Sequence, residues 1–385
     1  MKRITLALPA ALGMMLSSAA FATDGVTPSQ ITFGQVAAFE GPAAALGTGM
    51  REGLLAAFEE ANAAGGVHGR TVALETEDDG YEPGASAEAV KTMISSGDVF
   101  ALIGAVGTPT SKATQPLATE AGVPFVGPFT GAGFLRDASF GNVVNVRATY
   151  AAETEAWIAH LVDDLNFENI AILYQDDGFG RVGLAGVTAA LEKRGMTLSA
   201  EGTYTRNTVA VKSALLKIRK AKPDAVVMVG AYKPVAEFIK LSRGLKFDPV
   251  FVNISFVGSK ALAAELGEAG EGVIVSQVVP FPWDDSLGLV GEYQAALAAH
   301  QPDAEIGFVS LEGYITGRIA LAALEAAGPE PTREAFLNAV WSMTDANLSG
   351  LPVQFGADDN QALDGVFLTQ INADGGFSPV ETPGS

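Results

Sequence analysis

Cysteine is absent from all 385 residues. That excludes a disulfide scaffold, a thiolate metal centre, a cysteine nucleophile and a lipid-modified N-terminal cysteine. Positive charge is scarce too: 24 Lys and Arg stand against 44 Asp and Glu, a net charge of −20. A chain this acidic is repelled by nucleic acid and by anionic membrane surfaces, so neither is an expected partner. Histidine occurs only as His68, His160 and His300, scattered along the chain. They read as surface or satisfied side chains rather than metal ligands. There is no P-loop and no G-x-S-x-G elbow. Gly47, Gly49 and Gly53 are spaced G-x-G-x-x-x-G, about ten residues beyond the nearest strand, which does not match a dinucleotide loop. No cofactor and no catalysis are expected. Asp78-Asp79 and Asp176-Asp177, each followed by Gly, read as turns that cap the next helix rather than as a metal site.

Long apolar runs are missing except at the start. Met1-Lys2-Arg3 is followed by the mostly apolar Ile4 to Leu16 and then by Ala20-Phe21-Ala22. This is the pattern of a signal peptide over 1–22, cut between Ala22 and Thr23. The run is too short to span a bilayer. The mature chain is therefore expected in the periplasm as a freely diffusing monomer, without direct membrane insertion.

What is present is apolar bulk, 48 % of residues, enough for about two domains at this length. Periodicity gives strands at 30–37, 71–76, 100–103 and 123–126, alternating with helices at 50–64, 85–96 and 109–120. After an extended link (141–148) the alternation restarts. Helices at 151–165, 183–194, 209–221 and 235–244 alternate with strands at 169–174, 198–204, 225–229 and 249–253. The last third has a strand (273–278), two long helices (287–300 and 307–327), a shorter one (332–343), and a closing strand pair at 353–355 and 366–371. The long helices are expected to pack back on the first module. Such β-α alternation indicates doubly wound parallel sheets, whose ligands bind beyond the carboxyl ends of the strands.

One of those ends is rich in donors. In Gly107-Thr108-Pro109-Thr110-Ser111, proline suits the first helical position, which makes Thr108 the expected N-cap. Three hydroxyls and the free N–H groups of a helix start suit a carboxylate. The plain alternative is a capped helix and nothing more. Phe129, Tyr150, Phe179, Tyr232 and Phe256 all fall at element ends and could wall a cleft between the two modules.

Taken in order, GPAAALGTGMREGLLAAFEEANAAGGVHGR, IGAVGTPTSKATQPLATEAGVPFVGP, IAILYQDDGFGRVGL and DAVVMVGAYKPVAEFIKLSRGL resemble the type I periplasmic binding proteins of the leucine/isoleucine/valine-binding group. The resemblance runs from Ile31 to about Ile371. It implies an α/β fold of two doubly wound parallel-sheet lobes joined by a three-crossing hinge. The lobes would be 23–147 plus 281–350 and 148–280 plus 351–385, with crossings near Arg147, Pro280 and Gly350. It further implies that Thr108 binds a ligand carboxylate and that Phe129, Thr130 and Gly131 complete the grip. Phe179 and Tyr232 would be aromatic contacts from the second lobe; Tyr150 is added from its place just past the first crossing. Two positions depart from the family. Leu46 stands where an aromatic is usual, and Ser255 where an acid pairs with the ligand's α-ammonium group. Glu40 or Glu312 could supply the missing acid. The implied function is capture of a small carboxylate-bearing ligand, a branched-chain amino acid or a related or aromatic acid, for the membrane permease of an ABC importer. A sensory module feeding a receptor or kinase is the alternative, and a secreted hydrolase a more remote one.

Overall fold

The computed structural model describes residues 23–380 apart from Ala138 and Ala357. The expected signal peptide, with Ala22 of its cleavage site, lies outside the described residues. The first module runs β1 (Gln30–Ala37), α1 (Ala44–Ala63), β2 (Thr71–Asp78), α2 (Pro83–Ser96), β3 (Ala101–Ile103), α3 (Thr108–Glu120), β4 (Phe125–Val126) and β5 (Val143–Val144). The second runs α4 (Tyr150–Ile158), β6 (Ile170–Gln175), α5 (Gly178–Glu192), β7 (Ala200–Tyr204), α6 (Lys212–Ala221), β8 (Ala225–Val229), α7 (Tyr232–Gly244), β9 (Val250–Asn253), α8 (Ser259–Leu266) and β10 (Ile274–Gln277). Then come α9 (Gly288–His300), α10 (Phe308–Ala327), α11 (Arg333–Trp341), β11 (Ala346–Leu348), β12 (Leu351–Val353), β13 (Phe367–Ile371) and β14 (Phe377–Pro379).

The two sheets repeat one winding. The first has the order β2-β1-β3-β4-β5, and all its pairs are parallel. The second has the parallel order β7-β6-β8-β9-β10, extended past β10 by the antiparallel β13 and β14. β8 is buried along its whole length, as a central parallel strand covered by helices on both faces must be. In each sheet the strand order reverses about the first strand, which opens a crevice between β1 and β3 and another between β6 and β8. Thr108 follows β3, Phe179 follows β6 and Tyr232 follows β8. The winding thus delivers all three to switch points.

The expected closing strand pair does not form. Leu351–Val353 folds back on Ala346–Leu348, and Phe367–Ile371 inserts beside β10 instead. The cause is local. Ser349 (φ 48°) and Gly350 (φ 98°) supply the two positive φ angles of a tight hairpin turn whose twist matches its strands. Gly350 is therefore that turn, and the chain meets the first crossing later. Asn145 N–H donates to the Asn360 carbonyl (2.7 Å), while Ala362 and Leu363 N–H donate to the carbonyls of Asn145 and Val146 (3.0 Å each). Helix α8 was not anticipated, because Gly258 and the small residues around it read as a turn.

As expected, α9 and α10 pack on the first module, against α1. Helix α1 starts at Ala44 rather than Met50, which places Gly47, Gly49 and Gly53 inside it. A Cβ on Gly47 would collide with the Ala38 carbonyl, one on Gly53 with the Ser310 carbonyl, and one on Gly313 with the Met50 carbonyl. Of the glycines in that spacing, Gly49 and Gly53 allow close packing on α10 and Gly47 close approach to Ala38 past the end of β1. Gly53→Ala is expected to lower stability by about 1–3 kcal/mol through overpacking, although alanine favours a helix by about 1 kcal/mol. Gly84→Ala in α2, where a Cβ meets open space, should instead be neutral or stabilising. Urea denaturation midpoints compare the two.

Candidate ligand-binding site

Around Thr108 the hydroxyls divide their work. Gly107 (φ 105°) is the N-cap of α3, and Thr108 and Pro109 are its first two residues. The expectation that Thr108 caps the helix is corrected: its hydroxyl bonds the Thr130 hydroxyl at 2.7 Å. Only glycine fits at 107, since a Cβ there would strike the Tyr81 ring. Thr110 is committed to the carbonyls of Val106 and Gly107 and is not available to a ligand. The Ser111 hydroxyl, one turn beyond Thr108, is buried without a partner.

The loop 129–132 is stitched beside that helix start. Phe129 N–H donates to the Ala105 carbonyl (2.7 Å) and Gly107 N–H to the Phe129 carbonyl (3.2 Å). Gly131 has no room for a side chain, because Tyr150 packs on it and Tyr150 N–H takes its carbonyl at 2.8 Å. The Tyr150 hydroxyl is buried near Thr130 and the Gly131 N–H, yet reaches no partner in bonding geometry. Burial raises its pKa to about 12, against the pull of Arg147, so it stays a neutral donor.

Aromatic rings close over this corner. Phe256 contacts Phe179 (4.7 Å between centroids), Phe129 (5.5 Å) and Tyr81 (5.9 Å), and Phe179 contacts Tyr150 (5.5 Å). Tyr81 and Phe129 come from the first module, and Tyr150, Phe179 and Phe256 from the second. Asp177 caps α5 by accepting from Phe179 N–H (2.9 Å), which fixes where that ring begins. Tyr232 stands apart from the group: its hydroxyl accepts from Ala45 N–H at 3.4 Å. A cavity of about 240 Å³ opens between the modules, lined by Leu46, Thr48, Glu52, Gly258 and Lys260 among others; Thr108 and Tyr150 do not line it.

Beneath the rings lies a buried charge network. Arg147 donates from Nε and Nη2 to the two Glu312 oxygens (2.7 Å each) and from Nη1 to Ser255 Oγ (3.0 Å). Its guanidinium lies 3.9 Å over the Phe129 ring. Burial works against the Arg147 charge, but Glu312 more than offsets it and holds the group protonated. Ser255 in turn donates from N and Oγ to Glu153 (2.8 and 2.9 Å), which Ser276 Oγ also meets. Burial pushes the Glu153 carboxyl up despite Arg147 and the serines. Arg136 has no ion-pair partner among the described residues. It donates to the carbonyls of Thr130 (2.9 Å), Ala132 (3.1 Å) and Arg147 (2.8 Å) and to Gln361 Oε1 (2.9 Å). Burial, then Arg147, lower its pKa to about 10.

Thr108, Phe129, Thr130, Gly131, Tyr150 and Phe179 are thus brought together, and Ser255 joins them through Arg147. Glu312 is not a spare acid, since Arg147 holds both its oxygens; Glu40 is exposed. Tyr81, Arg136, Arg147 and Glu153 were not anticipated as parts of the site. Arg147 left one trace, as the lone charge between Asp137 and Glu153. His160 pairs with Asp164 at 3.1 Å and His68 with the Glu325 carbonyl at 2.9 Å. Asp79 accepts from Tyr81 N–H and from Ser86 at the start of α2. Among the described residues no group of three or more His, Asp or Glu could hold a metal.

Residues 30–376 match a family model described as "Periplasmic binding protein". The chain is 30 % identical over 238 residues to Leu/Ile/Val-binding protein homolog 3 of Brucella melitensis, covering 60 % of this chain and 63 % of that one. It is 26 % identical over 329 residues to Leu/Ile/Val-binding protein BraC3 of Rhizobium johnstonii, covering 85 % and 87 %. A crystal structure of a possible leucine/isoleucine/valine-binding protein from Rhodopirellula baltica superposes with a TM-score of 0.86 at 37 % identity, covering 94 % of this chain and 98 % of that one.

Proposed function

This chain belongs to the leucine/isoleucine/valine-binding family of type I periplasmic binding proteins, and we propose that it captures a small carboxylate in its inter-lobe cleft for an ABC importer. In this reading the lobes hinge at residues 145–149, 278–287 and 360–366. The described conformation, with rings from both modules in contact, is the closed one. Ligand shifts the population toward closure because only the closed form touches it from both sides. The closed form then docks on a membrane permease. The expected signal peptide and periplasmic location fit this role.

The observation that carries the proposal is the Thr108–Thr130 hydroxyl bond at the start of α3, with the buried Tyr150 hydroxyl near Thr130 and the unpartnered Ser111 hydroxyl one turn along the helix. Buried polar atoms are rarely left unpaired, and a cluster of them at a helix start marks where a ligand's polar end belongs. Mass spectrometry of the small molecule that co-purifies from native periplasm tests this, and an acid is expected. Thr108→Val should weaken its binding by about 1–3 kcal/mol, the cost of a hydrogen bond to a charged group. An unchanged dissociation constant by calorimetry would remove Thr108 from the site.

A further inference from the structure

We propose that the outer face of α6, with the adjoining end of α7, is a docking surface for anionic phospholipid, which holds the protein against a membrane without insertion. The inference does not depend on which ligand the cleft takes. Residues 212–246 carry nine of the chain's 24 basic residues and two acids, Asp224 and Glu237, although the whole chain has a net charge of −20. On α6 the cations Lys212, Lys217, Arg219 and Lys220 are exposed, and so are Lys222, Lys240 and Lys246 beside them. Among the described residues none of these seven has an ion-pair partner. Arg219 donates to the Leu245 carbonyl at 3.2 Å, which joins the ends of the two helices into one surface.

Apolar side chains share that surface. Four large apolar side chains are exposed among the described residues, and three of them, Val209, Leu216 and Leu245, fall here. Leu216, at 54 % the most exposed, stands in the outward arc of α6 one turn from both Lys212 and Lys220. Helix stability does not account for this arrangement. Lys212 is the first residue of α6, where the helix dipole disfavours a cation, and the first turn holds no acid to offset it. The net charge of the chain opposes an anionic surface only at long range. Salt screens a charge within about 8 Å, so a surface touching α6 meets the local cations. The acids nearest in the chain, Glu168, Asp224, Glu237 and Asp248, are fewer than the cations, and Asp248 is paired with Arg243. Lipid fits these residue types better than an acidic protein does. Protein interfaces favour arginine and are depleted in lysine, whereas six of the seven cations are lysine. Lysines around an exposed leucine suit headgroup phosphates and the acyl boundary beneath them. Helices α6 and α7 run back from the strand ends that carry the candidate site, so docking at their far ends leaves that corner uncovered.

The test is flotation of the chain without residues 1–22, so that the expected signal peptide adds no membrane affinity of its own. The vesicles are phosphatidylcholine, alone or with about one third phosphatidylglycerol. Binding is expected only to the anionic vesicles, and it should weaken as salt is raised. Lys212→Gln, Lys217→Gln and Lys220→Gln together should lower the partition coefficient about 100-fold, about fivefold for each charge. Leu216→Ser leaves the charge unchanged and should lower it about threefold or more. Urea midpoints matching the parent's show that both variants are folded. No binding to anionic vesicles at low salt overturns the inference, and so does equal binding by the triple variant. A salt-sensitive dimer in light scattering that the triple variant abolishes, with neither vesicle bound, also overturns it: the surface would then hold a second, acidic copy of the chain.

Discussion

Glu312→Gln is expected to destabilise the protein by about 3–5 kcal/mol, although it changes one atom and alters no shape. The Arg147 guanidinium is 1 % exposed and places two of its hydrogen bonds on the Glu312 carboxylate. With the charge at 312 gone, a desolvated cation remains, and the cost is its lost compensation rather than the lost bonds. Replacing both partners tells the two apart. Arg147→Met with Glu312→Met removes the charges together and should recover most of the loss, because a buried pair is offset by its own desolvation. The double variant still forfeits the Ser255 bond and the stacking on Phe129, so recovery should stop short of complete. Urea denaturation of the ligand-free protein measures all three. A Glu312→Gln variant within about 1 kcal/mol of the parent would mean that Arg147 is neutralised elsewhere, with Glu153 the nearest candidate.

That pair also marks where a reading of the sequence stops. The winding was legible because parallel strands leave near-continuous apolar runs, and the strands at Gln30–Ala37 and Ala225–Val229 match the structure to the residue. The strand ends that carry the candidate site were legible for the same reason, since strand order fixes where the switch points fall. Errors clustered where glycine decides. Gly107 rather than Thr108 caps α3, the Ser349-Gly350 turn redirects the closing strands, and the glycines of α1 allow close contact with α10 (Gly49, Gly53) and with Ala38 just past β1 (Gly47). Tyr81 was invisible for another cause: it sits in a polar loop with φ 62°, where nothing local signals a buried ring. Glu312 lies far in sequence from Arg147, and Ser255 far from Glu153, and only their meeting in space gives these residues a role. Pairing across more than a hundred residues leaves no local periodicity to read.

Phe256→Ala should separate closure from folding. Phe256 is fully buried, and its loss from a packed cluster is expected to cost about 3–5 kcal/mol in the closed form. Two of its ring contacts, with Tyr81 and Phe129, cross between the modules, while the contact with Phe179 stays within the second. In a hinged trap the crossing contacts exist only when the lobes are shut, so the open form loses less. At about 0.5–1.5 kcal/mol per aromatic pair, the closed form should fall relative to the open one by about 1–3 kcal/mol. Ligand affinity then drops about five- to a hundredfold, since apparent affinity scales with the population of the competent state. Small-angle scattering should show a larger radius of gyration for the ligand-free variant than for the parent. The Arg206–Glu82 ion pair (2.8 Å) and the Asn207–Glu82 bond (2.7 Å) also span the modules but are partly exposed and contribute less. An affinity that survives Phe256→Ala, with an unchanged radius, would show that the rings pack a permanent core, and the trap would have to close on some other surface.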